Sequence, residues 1–112
     1  MNRSLLLFGI LLMAFFIGES GCYKNEPIPA ADFTFSGNNQ FYVPCNVIFT
    51  NRSVNAFSYE WWFGDDSTST EKDPSHTYLV PGKFEIRLRA YTESRDQWAS
   101  QSKFITIKDT VL

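Results

Sequence analysis

Two cysteines and one histidine are all that this 112-residue chain offers to thiol, imidazole or zinc chemistry. A zinc site draws its ligands mainly from those two residue types, so a zinc centre is not expected. A charge excess of either sign is also missing. Ten basic residues face twelve acidic ones, a formal net charge of −2. A nucleic-acid partner usually needs a clustered basic face, and none is expected here. The blocks of like charge that mark interaction tails are absent. With only six glycines and no Leu/Ala heptads, but 11 Phe, 5 Tyr and 3 Trp, the composition favours β structure over a helical bundle. The length allows one domain and not two.

Long hydrophobic runs are missing as well, except for one at the start. Arg3 precedes an apolar segment from Leu5 to Gly18, interrupted only by Gly9. Ser20-Gly21 and then Cys22 follow. The run is shorter than the roughly 20 apolar residues of a membrane-spanning helix and has the layout of a secretory signal. A small residue directly before a cysteine resembles a bacterial lipoprotein signal. That resemblance implies cleavage after residue 21 and acylation of Cys22. Glu19 stands three positions before the cysteine, where such signals usually carry an aliphatic residue. Ordinary cleavage and a retained anchor are the alternatives. Removing residues 1–21 takes one base, Arg3, and one acid, Glu19, so the charge stays at −2. With Cys22 lipidated, Cys45 is left without an internal partner and reads as a small apolar residue partly covered by the sheet, with a reactive or intermolecular role as the alternative.

Residues 22–30 read as a lipid-anchored linker, since Pro27 and Pro29 disfavour helix. From residue 31 the pattern is short alternation broken by turns. Strands are expected at 31–35, 47–51, 57–63, 75–78, 84–90 and 102–107. Phe57, Tyr59, Trp61 and Phe63 should share the inward face of the third strand, and Phe84, Ile86, Leu88 and Ala90 that of the 84–90 strand. A short polar strand is expected within Ser67–Thr70, and Pro44 suggests an edge position or a strand start. About seven short strands without helical period predict an all-β, immunoglobulin-like antiparallel sandwich over residues 31–108.

The ordered series Phe33, Val47-x-Phe49-x-Asn51-x-Ser53, Tyr59-x-Trp61-x-Phe63-Gly64-Asp65, Ser69, Asp73-Pro74-x-His76-Thr77-Tyr78 and Pro81-Gly82-x-Phe84-x-Ile86-x-Leu88 resembles a PKD domain. The match runs from about Ala31 to Ile107. The resemblance implies a seven-stranded sandwich found outside cells or on their surfaces, credited with protein or carbohydrate contacts rather than catalysis. It implies structural roles for Trp61, Phe63, Gly64, Asp65, His76, Tyr78, Pro81 and Gly82. Two positions depart from it. Asp66 stands where the family turn usually has a second Gly, and Asp tolerates the left-handed backbone better than most residues. Trp62 stands where the family usually has a small or polar residue.

The outward residues of the third, 84–90 and last strands should lie together. Trp62, Arg87, Arg89, Tyr91 and Phe104 are therefore the candidate binding face, a composition suited to a protein or glycan. Arginine stems covering Trp62 on a wet face are the plain alternative, and Phe104 has a second reading as a cover for the linker. No enzyme is expected: His76 is the sole imidazole, and no triad, dyad or metal set is visible. Asp65, Asp66, Glu71 and Asp73 surround one hairpin without the spacing of an EF-hand loop, and no cofactor is expected. The reading is a non-catalytic lipoprotein of the bacterial cell envelope, held to the membrane by its N-terminal lipid. It binds a protein or carbohydrate or, alternatively, serves as a structural spacer or assembly subunit of an envelope complex.

Overall fold

In the computed structural model the described residues are 26–110. The expected signal segment, Cys22 and the first part of the linker lie outside them. Two antiparallel sheets pack face to face. One has three strands in the order β1-β2-β5: β1 is Phe33–Gly37, β2 Cys45–Asn51 and β5 Ser75–Tyr78. The other has four in the order β4-β3-β6-β7, comprising β3 at Ser58–Trp62, β4 at Thr68–Ser69, β6 at Gly82–Tyr91 and β7 at Trp98–Ile107. This is the seven-stranded sandwich that the alternation predicts. The β3–β4 hairpin is the short polar edge, and Pro44 lies just before β2, following a cis peptide bond. Asn39–Phe41 form a single turn with φ of 52°, 52° and 65°.

The period-two rule assigns the core. Val47 and Phe49 of β2, Trp61 of β3, Ile86, Leu88 and Ala90 of β6, and Ile105 and Ile107 of β7 are all buried. Phe33, Phe49, Trp61 and Phe63 form an aromatic centre, with ring centroids 5.2 Å apart for Phe33–Trp61 and 5.4 Å for Phe49–Trp61. Trp61 is wholly buried and still satisfies its indole N–H, which donates to the Glu71 carbonyl at 2.8 Å. Large buried aromatics of this kind supply most of the apolar burial available to a small domain.

Two face assignments need correction, one inward and one outward. Phe57 is exposed, because β3 starts only at Ser58 and the backbone N–H of Phe57 is drawn sideways to the Tyr91 carbonyl at 2.7 Å. Tyr91, assigned to the open face, is only 6% exposed. Its ring does lie on the outer side of the sheet. However, the Arg95 guanidinium from the β6–β7 turn sits 3.9 Å above its centroid, and its hydroxyl donates to Glu60. A loop residue, invisible to strand periodicity, covers it.

Candidate functional site: the outer face of the four-stranded sheet

β6 and β7 pair continuously over ten residues, from Gly82↔Ile107 to Tyr91↔Trp98, and β3 pairs along the other side of β6. The outer face therefore carries Ser58, Glu60 and Trp62 from β3, then Glu85, Arg87, Arg89 and Tyr91, then Trp98, Ser100, Ser102, Phe104 and Thr106. Within it Arg87 stands opposite Trp62, and Arg89 stands between Glu60 and Ser100. The diagonal reach of long side chains across a sheet lets Arg89 touch both tryptophans. Its guanidinium carbon lies 4.1 Å from the Trp98 ring centroid and 5.6 Å from that of Trp62. The result is a row, Trp62–Arg89–Trp98, running across three strands.

Arg89 is held there by more than the rings. One of its Nη groups donates to the Tyr91 hydroxyl at 3.3 Å, and Tyr91 is in turn fixed by Glu60. Glu60 is occupied by that hydroxyl and by Arg95 at 3.7 Å. Among the described residues no carboxylate lies within ion-pair distance of Arg89. The row thus presents a guanidinium flanked by two indoles, linked to the neighbouring Glu60 only through the Tyr91 hydroxyl. Arg87 has a long, exposed pairing with Glu85 at 3.8 Å, of the kind that contributes little to stability.

The structure splits the expected face. Trp62 is partly buried and is the more distant of Arg89's two indoles, so the arginine-cover reading holds for it in part. Phe104 is 58% exposed with Lys83 4.6 Å over its ring, and it stands at the end of the sheet away from the linker. It does not cover the described part of that linker, residues 26–30. Trp98, 52% exposed, was not among the expected residues. The sequence signal was available: stepping back by two from Phe104 gives Ser102, Ser100 and Trp98. Three polar residues at 100–102 hid the continuation of the strand.

A second cluster has the composition of a catalytic triad without its geometry. Asp65 Oδ2 lies 2.6 Å and Ser67 Oγ 3.1 Å from the same His76 nitrogen, Nε2. A relay needs acid and nucleophile on opposite ring nitrogens. Here Ser67 instead donates to Asp65 from both its hydroxyl and, at 3.2 Å, its backbone N–H. Burial disfavours the Asp65 carboxylate. The hydrogen bonds from Ser67 and His76, with the Ser67 backbone and the nearby imidazole, outweigh it and hold the carboxyl below the usual carboxylate range. The His76 ring stacks on Phe63 at 4.5 Å and 6°. Tyr78 donates its hydroxyl to the Phe63 carbonyl at 2.7 Å, and burial, reinforced by Asp65 and Cys45, pushes its phenol well up. These residues clasp β5 of one sheet to the turn after β3 of the other. The acidic residues are likewise dispersed. Asp73 accepts the Asn51 backbone N–H at 2.8 Å, and among the described residues no group of three or more His, Cys, Asp or Glu is placed to share a cation. Cys45 is buried and free, and burial raises its thiol.

The turn itself explains its sequence. Gly64 has φ of 89°, and a Cβ there would lie 2.8 Å from the Glu85 carbonyl oxygen. Asp66 has φ of 70°, in the left-handed region that Asp tolerates better than most residues.

Two packed antiparallel sheets, a buried tryptophan and an open outer face define an immunoglobulin-like β-sandwich of a binding or structural kind. The model of the PKD domain matches residues 24–107, and the chain belongs to that family. Over 75% of its length it is similar to the first PKD domain of the Vibrio cholerae metalloprotease PrtV, covering that chain fully at 25% identity and a TM-score of 0.63. A β-sandwich structure described with promiscuous carbohydrate-binding modules shares 29% identity over 78% of the chain, with a TM-score of 0.60, and the match covers 36% of that protein. Among curated relatives, the Bacillus cereus collagenase ColA is 37% identical over 51 residues. The match spans 46% of this chain and only 5% of that enzyme. Domains of this family are generally non-catalytic.

Proposed function

We propose that this protein is a non-catalytic lipoprotein of the bacterial cell envelope whose outer sheet face binds carbohydrate. The observation that carries the reading is the Trp62–Arg89–Trp98 row. An exposed indole offers a flat apolar surface to the C–H face of a sugar ring, and a guanidinium without a carboxylate partner offers donors to its hydroxyl or carboxylate oxygens. A structure described with carbohydrate-binding modules contains a similar segment over 36% of its length, which supports the same choice. Since β6 and β7 are paired along their whole length, the row is preorganised and little ordering entropy is lost on binding.

A glycan screen followed by titration calorimetry tests this. Trp98→Ala is expected to weaken a glycan found for the native protein by about tenfold or more, close to 1.4 kcal/mol, with Arg89→Ala similar and Trp62→Ala smaller. Undiminished glycan binding in all three variants would place the site elsewhere. Silence toward glycans, with a membrane complex co-purifying, would favour the spacer or assembly role. The anchor is tested separately: Cys22→Ser should abolish fatty-acid labelling and release the protein from membranes.

A further inference from the structure

The end of the sandwich at which the chain enters carries an apolar patch, and we propose that this patch rests on the lipid surface, standing the domain upright on the membrane. The inference depends on the lipoprotein reading above. Ala30 and Val54 exchange backbone hydrogen bonds at 3.0 and 2.9 Å, Asn55 donates its side-chain amide to the Ile28 carbonyl at 3.2 Å, and Glu26 accepts the Ser94 hydroxyl at 2.6 Å. The entering segment is therefore fixed against the β2–β3 and β6–β7 connections. At that end Ile28 is 78%, Val54 55% and Phe57 66% exposed.

Chain length supplies the occupant. Glu26 stands four steps along the chain from Cys22, and even fully extended those steps span at most about 14 Å. An acyl chain on Cys22 therefore holds this end close to the headgroups. Apolar side chains presented there enter the headgroup boundary by about 5–10 Å. The charges around them are mixed, with Glu26, Glu93 and Asp96 against Arg52 and Arg95, so the contact is with neutral lipid and needs no anionic headgroup. Three side chains fall far short of the roughly 800 Å² per partner of a stable protein interface, which argues against a second copy as the occupant. Leu79 and Val80 are as exposed, at 72% and 64%, but lie in the β5–β6 turn at the opposite end. The ten residues of β6 put them about 30 Å away. They serve as an internal control.

The full chain, expressed in a lipidating bacterium and extracted in detergent, is reconstituted into phosphatidylcholine vesicles with and without nitroxide-bearing phosphatidylcholine. Phe57→Cys and Leu79→Cys, each combined with Cys45→Ala, carry a polarity-sensitive fluorophore. Ile28→Cys and Val80→Cys repeat the comparison. The Phe57→Cys and Ile28→Cys labels should shift to the blue and be quenched by about twofold or more at headgroup depth, and the labels at the far end should not. Equal signals at both ends on vesicle-bound protein would overturn the inference and leave the anchor intact. Protein that fails to float with vesicles would overturn both. A blue shift without lipid quenching, lost on dilution, would assign the patch to a second copy and overturn the inference.

Discussion

Gly64→Ala tests how tightly the turn after β3 is built. Two costs add at this position. At φ of 89° an L-residue is in left-handed backbone space, at about 1–2 kcal/mol. The new Cβ would also sit 2.8 Å from the Glu85 oxygen, 3.0 Å from its nitrogen and 3.0 Å from Phe84 Cβ. Two of those atoms are Glu85 backbone in β6, which is held there by pairing with β7, so relief requires that pairing to shift. Forced overpacking of this kind costs about 1–3 kcal/mol. The expected loss is therefore about 2–5 kcal/mol, read as a lower midpoint in urea denaturation followed by circular dichroism, with an unchanged slope. Asp66→Gly is the counterpart: it relieves a φ of 70° but loosens the unfolded chain, and should change stability by no more than about 1 kcal/mol. A Gly64→Ala variant within about 0.5 kcal/mol of the native protein, the usual range for an uninvolved surface site, would refute the reasoning.

Trp61→Ala should destabilise by about 3–5 kcal/mol, because it empties the centre of the aromatic cluster and removes the indole bond to Glu71; equilibrium unfolding checks it. Tyr78→Phe should cost about 1–3 kcal/mol in the same assay, since it leaves the Phe63 carbonyl buried without its donor. Acid titration of stability tests the clasp. The Asp65 carboxyl is held low in the folded state, so its contribution is complete above the unfolded value of about 4. It is lost as pH falls through the lower folded value. Asp65→Asn should lower stability at neutral pH and flatten the decline below pH of about 4; an unchanged acid limb would remove Asp65 from the clasp.

Most of the fold was legible because alternation reports burial directly. β6, with Ile86, Leu88 and Ala90 inward and Glu85 and Arg87 outward, reads without ambiguity, and the inward Trp61 follows from its neighbours. Legibility failed where tertiary contacts override period two. Phe57 fits the inward series of β3, yet its backbone leaves the strand. Tyr91 fits the outward series, yet Arg95 lies over it from a turn. The polar run 100–102 of β7 concealed Trp98, since a strand open on its outer face and at its free edge is rewarded little for apolar residues. The candidate site was half legible for the same reason: Arg89 was placed correctly, but which indole it prefers depends on the β6–β7 register, which no local pattern encodes.

Trp61 and Trp62 show why core and surface separate so cleanly in this chain. They are adjacent in sequence and point to opposite faces of one strand. Trp61 is locked into a cluster that includes Phe33 and Phe49 from the other sheet, so its loss is felt by the whole sandwich. Trp62 has the Arg89 guanidinium 5.6 Å from its ring centroid, near the outer limit of a cation–π contact, and such pairs contribute about 0.5–1 kcal/mol at exposed sites. The outer row can therefore change with little effect on folding, because its registry comes from the β6–β7 pairing and from a core on the far side of the sheet. The Asp65–His76 and Tyr78–Phe63 bonds fix the two sheets near one end, and the Ala30–Val54 pair ties the entering segment to the other. A rigid wall with an exchangeable outer surface is what the proposed recognition role requires, and the two tryptophans divide core from surface within a single step of the backbone.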